Sequence, residues 1–134
     1  MDFKEFCANL ETKIQASYTE GVTLEQSEKL AGEFLHALMV VSAELRKSDL
    51  DSRMRRTGVK AVRAAMYMES ASKGDKRPTE AAIAAMVDIS PVVQAEQDTL
   101  DQAEVERDDL KRYYDIFTNA HIFFRGVAKG NFGG

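Results

Sequence analysis

The chain has 134 residues, 44% hydrophobic and 30% charged, with two prolines, one cysteine and a net charge of −4. That length suits one domain or one helical assembly unit, and no apolar run approaches the roughly 18 residues of a membrane span. A lone Cys7 excludes an internal disulfide and a thiolate metal cluster, and the mixed, acidic start MDFKEFCANLETK is neither a signal nor a transit peptide, so a reducing cytoplasm is the expected setting.

Apolar spacing predicts an all-α protein of long amphipathic helices, arranged as a hairpin or bundle within one helical domain over 1–134. The first helix runs from about Asp2 to Tyr18, with Phe3, Cys7, Leu10 and Ile14 along one side and Gly21 as its stop. Thr23 to Gln26 has the form of a capping box and starts a second helix. Its seam is Leu24, Ala31, Phe34, Leu38, Val41 and Leu45, with Ser27 as the weak position.

Ser48-Asp49-Leu50-Asp51-Ser52 interrupts that seam, and Met54, Gly58, Ala61, Ala65 and Met68 resume it with the phase moved by two residues. A fresh helix and an irregularity within one long helix both fit over 24–72. Lys73 to Pro78 is a loop, completing a basic helix-and-loop segment over 46–77. Thr79 then caps a short helix with Ile83, Met86 and Val87 as its apolar positions, and Ser90-Pro91 is the next start signal.

From there a coiled-coil-like helix extends to about Lys129, with Val93, Leu100, Ala103, Leu110, Tyr114, Phe117, His121, Phe124 and Ala128 at heptad spacing. A second line, Tyr113, Ile116, Ala120, Phe123 and Val127, widens the apolar face at its end. Two adjacent seams exceed what one partner helix covers, so Leu110, Tyr113, Tyr114, Ile116, Phe117, Ala120, Phe123, Phe124 and Val127 are the expected contacts of a homo-oligomer. Coverage by the first two helices is the competing arrangement. Residues 130–134 read as a flexible tail.

The segment Arg46–Arg77 holds ten Lys and Arg against four Asp and Glu, a balance of +6 that leaves −10 for the rest of the chain. At 100° per residue, Arg46, Arg53, Arg56, Lys60 and Arg63 share a sector of roughly 100° on one helix. A solvated face is the plain reading. Few interleaved acids at i±4 and an aromatic Tyr67 one turn beyond Arg63 favour an anionic chain, with single-stranded nucleic acid foremost. Lys73, Lys76 and Arg77 extend the same region.

Catalytic chemistry is not expected. The eight glycines form no phosphate loop, His36 and His121 sit among apolar residues as core or interface side chains, and the acids of Gln94–Asp109 read as a solvated face. No metal, cofactor or catalytic residue is assigned.

The order of these parts resembles the UvsY-type recombination mediators of phages. The residues that carry the resemblance are Lys60-Ala61-Val62-Arg63 with Tyr67, the loop 73–77, Pro78-Thr79-Glu80-Ala81-Ala82-Ile83, and the helix with Leu100-Asp101-Gln102-Ala103-Glu104 and Leu110. It covers roughly Leu45 to Arg125. The resemblance implies a non-enzymatic accessory of homologous recombination and repair, a ring-like homo-oligomer that binds single-stranded DNA. It would help load a RecA-type recombinase onto strands covered by single-strand-binding protein. Lys60 and Arg63 would stand in the family's basic helix, with the C-terminal helix driving assembly. Where a tandem aromatic pair can occur, this chain has a single Tyr67 between Met66 and Met68. The alternative is a phage structural or assembly protein of head or tail that turns the basic stripe toward an acidic protein. A small regulator that enters duplex DNA fits less well, for lack of helix-turn-helix spacing.

Overall fold

A computed structural model describes residues 2–130, and these are helical apart from short connections: α1 Phe3–Glu20, α2 Leu24–Ala71, α3 Glu80–Ile89 and α4 Pro91–Ala128. Residues 131–134 of the expected tail lie outside the described residues.

The helix ends follow from local side-chain chemistry. Asp2 accepts a hydrogen bond from the Glu5 amide at 2.8 Å and caps α1. Gly21, at φ 74°, takes the positive-φ conformation that ends it, and its N–H reaches the Ser17 carbonyl at 3.0 Å. The capping box closes in both directions. Thr23 Oγ1 accepts from the Gln26 amide at 3.1 Å, and Gln26 Oε1 accepts from the Thr23 amide at 2.9 Å. Thr79 caps α3 through the Ala82 amide at 3.2 Å. Ser90 is at once the last cap of α3 and the residue before Pro91 of α4, its hydroxyl 3.5 Å from the Val93 amide.

α2 is one helix of 48 residues. The serine-aspartate stretch does not break it, and Ser52 Oγ donates back to the Asp49 carbonyl at 2.9 Å within the helix. The chain divides into two compact units, Met1–Leu45 with Asp109–Gly134, and Arg46–Asp108. α2 and α4 each give one part to either unit.

The first unit has an aromatic core. Phe34 of α2 sits 5.6 Å from both Phe117 and Phe124 of α4, ring centre to ring centre, and Tyr113 stacks on Phe117 at 5.7 Å. Cys7 and Leu10 of α1 and Ala31, Ala37, Val41 and Ala120 complete the buried cluster. Burying a phenylalanine of this kind stabilises by about 1.5–3 kcal/mol. Ser27 lies fully buried in this unit, and its Oγ has no hydrogen-bond partner among the described residues.

The second unit is leaner. Val59, Ile83, Val87, Val93, Leu100 and Ala103 are its buried apolar residues, accompanied by buried Ser52, Ser70 and Ser90. Here the inward line of α2 corrects the predicted one. Ser52, Val59 and Ser70 are buried and Ser48, Val62 and Met66 half-buried, whereas Met54 and Met68 are 66% and 67% exposed and Ala61 and Ala65 face solvent. The uninterrupted helix keeps its earlier phase and places small serines inward, so no two-residue shift occurs. Leu24, expected in the first seam, is exposed as well.

Candidate nucleic-acid interface

All ten cations between Arg46 and Arg77 are exposed. The helical ones stand on the long α2, whose backbone fixes their spacing, and Lys73, Lys76 and Arg77 follow on the turn around Gly74 at φ 79°. Arg46, Arg53, Arg56, Lys60 and Arg63 occupy a flank of α2 beside the inward line, at about 100° from it.

The flank is less bare than the sequence suggests. Arg53 pairs with Asp49 one turn back at 3.0 Å, Arg56 reaches Glu104 of α4 at 3.2 Å and Arg63 reaches Asp88 of α3 at 2.7 Å. Arg55 pairs with Asp51 at 3.0 Å. The expected scarcity of acids is thus corrected, since two of the partners come from other helices rather than from i±4 positions. Such exposed pairs contribute only about 0.2–1 kcal/mol each and exchange readily for another anion. Arg46, Lys60, Lys73 and Lys76 make no ion pair among the described residues.

Tyr67 is half-buried, and its hydroxyl donates to Glu80, which holds the phenol above its ordinary pKa. Arg77 binds the same pair, donating to the Tyr67 oxygen at 3.3 Å and to Glu80 at 2.9 Å. The ring is therefore oriented by its tip, with one side lining a shallow apolar groove of about 440 Å3 between α2 and α3. Arg63, Ala64, Met68, Ala84 and Val87 are its other lining residues.

The predicted oligomer face divides. Phe117, Ala120 and Phe124 are buried within the first unit, covered by α1 and α2, so they are unavailable to a second chain. This corrects their assignment, and its reason is that α1 and α2 supply enough apolar surface to cover these three side chains. Leu110, Tyr113, Ile116 and Val127 are half-buried, and Tyr114 and Phe123 stay exposed. Ile116 and Phe123 line a groove of about 510 Å3 with Ile14 and Tyr18 of α1.

His121 behaves as a core histidine, its Nδ1 2.9 Å from the Ala31 carbonyl. His36 does not, being exposed on α2. Burial, followed by the charge of Glu11, pushes the Cys7 thiol up to about 11, and the thiol is inaccessible in the fold.

Sequence reasoning missed one interior polar contact of the second unit. The Arg107 side chain is only 17% exposed, with Nη1 at 3.5 Å from buried Ser52 Oγ and Nη2 at 3.3 Å from Asp108. Its signal was an arginine on the apolar heptad line of α4. Among the described residues no three His, Cys, Asp or Glu side chains converge as metal ligands, and no helix is long and apolar enough to cross a membrane.

No family model, curated protein or solved structure matches this chain.

Proposed function

We propose that the protein is a non-enzymatic, self-associating helical binder of single-stranded DNA that acts as a recombination mediator, bringing a RecA-type recombinase onto strands covered by single-strand-binding protein. The observation that carries the binding part is the exposure of all ten cations of the Arg46–Arg77 segment in a chain of net charge −4. A polyanion gathers at such a local excess, and its phosphates replace the weak surface carboxylates now beside Arg53, Arg56 and Arg63. One copy offers a modest site. Repetition of the same stripe in an assembly makes binding of each further stripe intramolecular and raises overall affinity. The recombinase-loading part rests on the resemblance to UvsY-type mediators.

The test is binding to labelled single-stranded and duplex DNA across a salt series, with mass measured in parallel. A steeply salt-dependent preference for single strands is expected. Replacing Arg56, Lys60 and Arg63 together with alanine should flatten the log–log salt slope by about 2, at roughly 0.7 for each phosphate that is no longer neutralised. Indifference to both DNAs, or an unchanged slope in the triple variant, overturns the reading. A structural protein with an acidic protein neighbour is the second reading, favoured by the carboxylates already seated on the stripe.

A further inference from the structure

The basic stripe of α2 runs into the apolar groove between α2 and α3. Arg63, Ala64, Tyr67 and Met68 of α2 and Ala84 and Val87 of α3 line its volume of about 440 Å3, and all six belong to the second unit. Arg63 is the one charged side chain among them. On α2 the four lining residues span a sector of about 140°, and exposed Lys60 falls inside that sector one turn before Ala64. Lys60 makes no ion pair among the described residues.

Tyr67 is held in advance of any ligand. Its hydroxyl donates to Glu80 and accepts from Arg77 at 3.3 Å, while Arg77 also reaches Glu80 at 2.9 Å. An aromatic side chain fixed in this way loses little further freedom on binding. The charged groups around the groove are Lys60 and Arg63 on α2, Glu80 and Asp88 on α3, and Lys73, Asp75, Lys76 and Arg77 on the turn between them. Five cations thus meet three acids. Both acids of α3 are already engaged, Glu80 by Tyr67 and Arg77, and Asp88 by Arg63 at 2.7 Å. Arg56, further back on α2, is held by Glu104, and Glu69 lies about 170° round the helix from the groove. The surface is therefore apolar and aromatic inside, with a cationic border.

A ligand that matches both parts joins a flat apolar face to an anion. A nucleotide of an unpaired strand does so, with its base beside its own phosphate. An apolar peptide side chain would fill the groove and leave Lys60 without an anion.

We propose that the α2–α3 groove takes one unpaired base of a single strand, stacked on Tyr67 against Met68 and Ala84, with the adjoining phosphates on Lys60 and Arg63. Arg63 stands about 6 Å before Tyr67 along the helix axis, at 1.5 Å per residue, so one nucleotide reaches both. A base inside a duplex must first be unpaired and unstacked to enter. The groove, rather than the cations, supplies the preference for single strands. This rests on the binding part of the proposed function and deepens it.

The test compares a labelled oligothymidylate with an abasic phosphodiester strand of the same length, each titrated with the full chain across a salt series. The wild-type chain should bind the abasic strand at least about fivefold more weakly, with the same log–log salt slope, because the phosphates are unchanged. Tyr67→Ala should close that gap by weakening the intact strand, and Tyr67→Phe, which keeps the ring, should lose less. Ala84→Leu fills the groove from an exposed position of α3, so it should weaken the intact strand likewise while helicity and the salt slope stay as they are. Equal wild-type affinity for intact and abasic strands, or an Ala84→Leu variant that binds the intact strand as tightly as wild type, overturns the groove. In either case a steep salt slope leaves the binding function standing. A chain that binds neither strand fails on both.

Discussion

The two units spend their residues differently. The first buries three phenylalanines in mutual contact with Cys7, Leu10 and Val41, and its charges lie outside that core. The second has no buried aromatic residue, keeps serines and the shielded Arg107 inward, and displays ten cations on α2 and the following turn. Apolar burial at about 25 cal/mol per Å2 stabilises the first unit far more than the second. Stability and surface chemistry are thus concentrated in different stretches of the same two long helices.

The largest effect should come from the aromatic core. Phe34→Ala removes the ring that touches both Phe117 and Phe124 and should cost about 3–5 kcal/mol, read as a lowered urea midpoint. A loss below about 1 kcal/mol would mean that the first unit does not dominate stability. A smaller effect of opposite sign is expected at Ser27. Its hydroxyl is buried without a partner among the described residues, so Ser27→Ala should stabilise by about 1 kcal/mol, and destabilisation would show that the hydroxyl is satisfied.

The smallest expected change in stability sharpens the contrast most. Asp88→Asn with Glu104→Gln removes the carboxylates beside Arg63 and Arg56, at a cost of about 1 kcal/mol or less. The same pair of changes should tighten binding to single-stranded DNA, measured at fixed salt by fluorescence anisotropy. Weaker binding would mean that those acids order the arginines rather than compete for them.

Helix ends were the most legible part of the chain. Thr23 with Gln26, Gly21, Thr79 and Ser90-Pro91 act through neighbours three or four residues away, so spacing alone carries the signal. The face of α2 was not legible. Hydropathy passes over Ser48, Ser52 and Ser70, and they hold inward positions, while Met54 and Met68, which attract the eye as seam residues, point out. The acid partners of Arg56 and Arg63 lie 48 and 25 residues away, beyond any local pattern. Coverage of Phe117 and Phe124 depended likewise on how two distant helices fold back.

Ser90 has a mechanical consequence. A single non-helical residue joins α3 to α4, so the corner has almost no slack. One residue added within the last turn of α3 would turn the rest of that helix by about 100° about its own axis and carry Ile83 and Val87 away from their buried positions. The eight residues between Ala71 and Glu80 are a looser coupling, exposed around Gly74, where added length is absorbed without rotating either helix. α3 is thus hinged softly at its start and clamped at its end, and its rotational setting is dictated by α4.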